Sequence, residues 1–100
     1  MHKALSLLKR IPKGKVTTYG ILAKLCNTSP RAIGRIMANN SDPSGCPCYR
    51  VVGKSGKLIG YSGKGGLKTK LKLLEKDGIK IIDDRVDKKY FYTFHDIDIE

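Results

Sequence analysis

Cys26, Cys46 and Cys48 have the widest chemical repertoire in this sequence, and the last two flank a single proline. A thiol can pair as a disulfide, hold a metal or, as thiolate, attack an electrophilic carbon. An odd cysteine count in a basic chain with no export signal argues against a disulfide framework and for at least one reduced thiol. His2 and His95 would add enough donors for zinc, but Cys46-Pro47-Cys48 leaves one rigid residue between thiols. Structural zinc knuckles usually have two or more, and there is no second pair, so neither a metal nor a cofactor is expected. Cys26 closes an apolar helical face and reads as a small core residue. Cys48 stands where a polar, Pro-bounded loop runs into Tyr49-Arg50-Val51-Val52, in a strongly basic stretch that favours the thiolate. By pattern alone, a buried structural thiol and a nucleophile fit this position about equally well.

The elements that would position these thiols can be read from periodicity and punctuation. Ala4, Leu5, Leu7, Leu8 and Ile11 recur at helical spacing before Pro12-Lys13-Gly14, predicting a helix that ends near Arg10. Lys15 to Thr18 is an extended link, and Thr17-Thr18 caps a second short helix through Leu25. Ser29 followed by Pro30 opens a third, with Ile33, Ile36 and Met37 on one face and Arg31 and Arg35 on another. Two short helices joined by a tight polar turn, the second presenting arginines, form the pattern of a helix-turn-helix. Tyr49 to Val52, a turn at 53–57 and Leu58-Ile59 predict a hairpin-like wing. Gly60, Gly63, Gly65 and Gly66 punctuate a basic loop without the Gly-Lys-Ser/Thr ending of a P-loop. Leu67, Leu71 and Leu74 mark a last helix stopped by Gly78, and 79–82 with 90–94 are expected to pair as a terminal hairpin. The expected fold is mainly α with a small β component: a winged helix-turn-helix-like domain over 1–80, with a short C-terminal β-hairpin in an acidic extension, 81–100, packed on it.

Charge indicates the partner. The 100-residue chain carries a net +11. Residues 1–80 hold 17 basic and three acidic side chains, and residues 81–100 hold three and six. Such an excess suits a polyanion, because each neutralised phosphate releases a counterion; the binding surface is expected in the first eighty residues and the tail is expected to pack or regulate. A merely soluble basic domain is the plainer reading. No apolar run approaches the roughly 20 residues that span a bilayer and no signal-peptide core precedes Lys9-Arg10, so no membrane association and a cytoplasmic protein, nucleoid-associated or nuclear in a eukaryote, are expected.

Several motifs occur in order at compatible spacings: Ile11-Pro12-Lys13-Gly14-Lys15-Val16, Thr18-Tyr19-Gly20, Arg31-Ala32-Ile33-Gly34, Met37-Ala38-Asn39-Asn40, Pro47-Cys48-Tyr49-Arg50-Val51-Val52 and Gly60-Tyr61-Ser62-Gly63. Together, over about residues 3–78, they resemble the DNA-binding and active-site domain of the O6-alkylguanine-DNA alkyltransferases. The N-terminal ribonuclease-H-like domain common in that family is not matched, which suggests a minimal form or an excised domain. The resemblance implies a monomer that binds double-stranded DNA through the minor groove, rotates O6-alkylguanine out of the stack and moves the alkyl group irreversibly to Cys48. By the same resemblance Tyr19 favours nucleotide rotation and donates to guanine N3, Arg31 fills the vacated space, and Arg35 joins the DNA-binding face. Asn40 supports the active-site turn, while Met37, Val51, Tyr61 and Ser62 line the substrate pocket. Extruding a base costs a few kcal/mol, so an intercalating arginine and an apolar pocket suit the task.

Three positions depart from the family pattern. Tyr49 stands where the acceptor cysteine is normally followed by His, and Asp77 stands for the Glu that His would contact. An ordinary thiol is only about 3% ionised at pH 7 and a phenol is a poor base, although Tyr49 could bridge a proton relay. A slower acceptor is expected; His95 could fold back as a base, or serve as a surface or packing histidine. Ala38 stands where relatives often place another Arg, which weakens the expected DNA affinity. Two alternatives remain: a non-enzymatic alkyltransferase-like protein that binds alkylated DNA and recruits other repair factors, in which the acceptor Cys is typically replaced by Trp, of which this chain has none, and a winged-helix regulator that reads the major groove.

Overall fold

The computed structural model describes residues 2–40, 45–59 and 66–94, and local sequence signals set its helix ends. Helix α1 (Lys3–Leu8) starts with the His2 imidazole accepting from the Ala4 amide, and is shorter than expected because Arg10 and Ile11 donate to Leu7 and Leu8 in a tightened turn. Helix α2 (Tyr19–Leu25) is capped by Thr18 Oγ1, which accepts from Ile21 N, and α3 (Pro30–Ala38) by Ser29 Oγ, which accepts from Ala32 N. Between them Asn27 adopts a left-handed φ of 55°. Thr28 N then reaches Ala23 O and Asn27 N reaches Lys24 O, a Schellman pair that satisfies two orphan carbonyls and turns the chain sharply into α3. Helix α4 (Gly66–Lys76) ends the same way at Gly78, φ +89°, with Ile79 N bonded to Leu74 O.

The two helices of the helix-turn-helix form the crossover between two parallel strands. Strand β1 (Thr17–Thr18) pairs with β2 (Val51–Val52), Thr17 beside Val51 and Thr18 beside Val52. A parallel pair cannot be joined by a tight turn, so α2 and α3 occupy the connection and lie over one side of the ladder. Successive strand residues face opposite ways. Val51 accordingly enters a core built from α1, α2, α3 and Cys48, and Val52 enters a second core with Val16, Leu58, Leu74, Ile79 and Val86.

The β pairings differ from those expected. Cys48–Arg50 form a 3-10 turn, leaving only Val51–Val52 as strand. These pair with β1 and not with Leu58-Ile59, so the wing is no simple hairpin: Gly53 N bonds Lys57 O to close the turn, and Leu58 N bonds Asp84 O. The C-terminal hairpin exists with other partners. Strands β3 (Ile81–Ile82) and β4 (Arg85–Val86) are joined by Asp83-Asp84, both left-handed at φ 52° and 59°, the two-residue turn whose twist suits a hairpin. Residues 90–92 instead flank Val16, whose N–H donates to Tyr90 O and whose carbonyl accepts from Tyr92 N. Tyr92 and Phe94 pack edge to face at 4.9 Å against the first core.

Candidate active site

Parallel pairing brings the residues just past β1 and β2, Tyr19 and Gly53, to one end of the ladder. There they border an open, largely apolar cleft of about 1020 Å³. Cys48 lines it from the 3-10 turn and is 8% exposed, its amide held by Cys46 O at 2.7 Å. Met37 and Gly34 contribute from α3, with Arg31 and Lys24 at the same cleft and both exposed. Ile59 and Phe91 complete the apolar wall. A thiol in such a wall, beside a phenol and under a basic helix, is suited to receiving an apolar carbon group from a polyanionic carrier.

Three clamps hold the Cys48 turn. Asn40 Nδ2 donates to Cys46 O at 2.7 Å, tying the end of α3 to the residues ahead of Cys48. Arg50 donates from Nε to Asp77 Oδ2 at 3.0 Å and from Nη1 to Ile11 O at 2.9 Å, joining the turn to the segment after α1 and to the residue that ends α4. Tyr49 donates its hydroxyl to the same Asp77 oxygen at 2.8 Å, and the Arg50 guanidinium lies 5.2 Å from the Tyr49 ring centre. Asp77 caps the C-terminus of α4, where a carboxylate meets the negative end of the helix dipole, so Arg50 and Tyr49 compensate an otherwise unfavourable placement. Burial first, then the Asp77 bond, pushes the Tyr49 hydroxyl's pKa up against the opposing Arg50 charge.

The structure brings Cys48, Tyr19, Met37 and Arg31 to one cleft; Arg35 is exposed on α3 and lies outside its lining. Val51 does not line it: its side chain is fully buried in the first core, because the strand face that carries it points inward. Tyr61, Ser62 and His95 lie outside the described residues. Cys26 is half-buried against the first core, and burial raises its thiol pKa. Among the described residues no cluster of three or more metal-ligating side chains occurs, and no helix is long and apolar enough to cross a membrane.

Sequence reasoning missed Lys70 and Phe91. Lys70 is fully buried, and its Nζ donates to Val51 O at 2.5 Å and Ile59 O at 2.7 Å while lying 5.7 Å from the Tyr19 ring centre. Burial pulls the Lys70 ammonium down to about 8, with negative charge on Cys48 pulling the other way. The signal was present: Leu67, Lys70, Leu71 and Leu74 sit at i, i+3, i+4 and i+7, so Lys70 occupies an inward position of an apolar stripe. Tyr19 is pushed up to about 12, mainly by burial and then by charge on Cys48, so its hydroxyl stays a donor across the neutral range. Phe91 places the segment beyond residue 80 in the cleft wall, a contribution that charge counting did not foresee.

Residues 1–79 match the family described as "6-O-methylguanine DNA methyltransferase, DNA binding domain". A bifunctional methyltransferase/endonuclease of Picrophilus torridus is 42% identical over 95 residues, which are 93% of this chain and 31% of that protein. A methylated-DNA–protein-cysteine methyltransferase of Thermococcus kodakarensis is 49% identical over 74 residues, 74% of this chain and 41% of that protein. The chain thus spans about a third to two fifths of the length of these relatives. The crystal structure of S. pombe Atl1 in complex with damaged DNA containing O6-carboxymethylguanine shares the fold, with a TM-score of 0.79 over 91% of this chain and 92% of that one at 23% identity. With the match running from the first helix to the residue after Gly78, this chain belongs to the family of the 6-O-methylguanine DNA methyltransferase DNA-binding domain.

Proposed function

We propose that this chain repairs DNA by direct reversal, taking the alkyl group of an O6-alkylguanine in double-stranded DNA onto Cys48. The observation that carries this reading is the placement of Cys48 and Tyr19 in the wall of one apolar cleft beside Arg31 of α3. Family membership and the relatives' naming as methylated-DNA–protein-cysteine methyltransferases support it.

The chemistry is a displacement at carbon. The Cys48 thiolate attacks the alkyl carbon, the carbon–O6 bond breaks with its electron pair staying on guanine, and the base takes up one proton. The product thioether is stable, so each molecule acts once. Tyr19, whose hydroxyl keeps its proton, donates a hydrogen bond to the departing base and offsets the charge that develops there. The open apolar cleft receives the rotated nucleotide, and Arg31 occupies the gap in the stack. Asn40 and Arg50 fix the turn that aims Cys48.

Intact mass after incubation with a duplex containing O6-methylguanine tests the reading. The expected result is a gain of one methyl group per molecule that is absent in Cys48→Ala. Selective binding of the alkylated duplex without a mass gain would replace the transferase with a non-enzymatic damage sensor. Equal binding of alkylated and unmodified duplex would leave a winged-helix regulator.

A further inference from the structure

We propose that Cys46 and Cys48 form a reversible disulfide site, in which Cys46 captures Cys48 after oxidation by a peroxide and keeps that thiol recoverable. Only the consequence for repair rests on Cys48 being the alkyl acceptor. Pro47 between them has φ −74° and ψ 77°, and Cys48 N donates to Cys46 O at 2.7 Å. These are the angles and the i to i+2 hydrogen bond of an inverse γ-turn. Two Cα steps of about 3.8 Å, folded at this turn, place the cysteine Cα atoms within the roughly 4.4–6.8 Å that disulfides span. Asn40 Nδ2 donates to the same Cys46 carbonyl at 2.7 Å, and Arg50 N donates to Pro47 O at 3.0 Å, so the turn is fixed from both ends. Both cysteines are free and both are buried in the first core, into which the turn sends its two thiols together.

Their difference in access sets the order of reaction. Cys48 is 8% exposed in the wall of the open cleft, whereas Cys46 is 1% exposed and takes no part in that wall. A small oxidant entering the cleft therefore meets Cys48 first. Left alone, a cysteine sulfenic acid is oxidised further to sulfinic acid, which thiols do not reverse. A second thiol one residue away intercepts it.

In the first step the Cys48 thiolate attacks one oxygen of hydrogen peroxide, the O–O bond breaks, and the other oxygen leaves as water after taking up a proton. Cys48 is then a sulfenic acid. In the second step the Cys46 sulfur, losing its proton, attacks the Cys48 sulfur; the S–S bond forms, the S–O bond breaks, and hydroxide leaves with that proton as water. Two thiols and one peroxide give one disulfide and two waters, the cysteines being oxidised and the peroxide reduced. A dithiol restores both cysteines by exchange and ends as a disulfide itself. A bridge across a single residue closes a strained ring, and strain makes it easily reduced. For a protein whose acceptor acts once, the bridged form is an inactive but recoverable store.

Peptide mass tests this directly. Trypsin releases residues 36–50 as one peptide, because Arg35 and Arg50 bound it; that peptide carries Cys46 and Cys48 and excludes Cys26. After hydrogen peroxide and then iodoacetamide, the parent peptide is expected to be two hydrogens lighter and unalkylated. Dithiothreitol before iodoacetamide is expected to return two alkylated cysteines. In Cys46→Ser the same peroxide dose is expected to leave Cys48 as sulfinic or sulfonic acid, with about tenfold less of it recovered by dithiothreitol. Cys26→Ser should match the parent. Cys46→Ala serves where circular dichroism shows Cys46→Ser unfolded, and the lighter peptide needs no variant at all. Sulfinic acid on Cys48 of the parent without the lighter peptide overturns the assignment, as does a bridge from Cys48 to Cys26 or equal recovery in Cys46→Ser. Methyl transfer from an alkylated duplex is expected to vanish with the bridge and return with dithiothreitol. No transfer by the fully reduced parent, with the bridge still formed by peroxide, would remove the repair reading and leave the disulfide site standing.

Discussion

Lys70 also leaves a signature in stability. Its folded pKa of about 8 lies below the ordinary 10.5, so between these values the unfolded chain binds more protons than the folded one. Stability therefore rises with pH through that window, by at most about 3 kcal/mol, and the lower pH side carries the burden of a buried charge. Tyr19 acts in the opposite sense: its pKa is raised to about 12, so its contribution is present below pH 10 and is lost as pH climbs towards 12. Urea unfolding from pH 7 to pH 10 should show a rise in the parent relative to Lys70→Met. At this scale the sequence was legible where residue type and motif agree, as for Cys48, Tyr19 and Asn40. It was misleading where one residue has two directions open to it. Val51 reads as pocket, yet strand alternation turns it inward; Tyr49, by contrast, meets Asp77 as its position implies.

Among the elements, the turn that carries Gly56 is the most constrained by its neighbours. Gly56 has φ +84°, and a Cβ there would lie 2.0 Å from the backbone oxygen of Val86 in β4. Neither atom can rotate away, so Gly56→Ala must separate the 53–57 turn from the β3–β4 hairpin. The expected loss reaches the upper end of the roughly 1–3 kcal/mol typical of overpacking, readable as a lowered melting temperature. The helices were legible because capping residues and apolar period act within a few residues: Thr18, Ser29-Pro30 and Gly78 all mark helix ends as their types predict. The strands were not, because a two-residue strand has no period to read and its partner is chosen by tertiary packing. Val51–Val52 pairs with residues 34 positions earlier, and Phe91 with Val16, while the Asp83-Asp84 turn was the local clue to the hairpin.

For the molecule as a whole, the net charge of +11 and the exposed arginines of α3 set how binding responds to salt. If Arg35 meets a phosphate, Arg35→Ala should lower affinity equally for alkylated and plain duplex and reduce the slope of log K against log salt by about 0.9. Under the role proposed for Arg31 in the opened stack, Arg31→Ala should instead diminish the preference for the alkylated duplex. Titrations at several salt concentrations separate the two. The tail takes part in this whole through Val16, which sits between Tyr90 and Tyr92 and thereby sets Phe91 in the cleft wall. That arrangement bears on the order of folding. The helix-turn-helix closes through neighbours in sequence, β1 meets β2 only after a long loop closes, and Phe91 must return across most of the chain to reach Val16. The contacts with the greatest sequence separation are slowest to assemble, so a chain emerging from synthesis can hold its basic helices before the wall around Cys48 is finished.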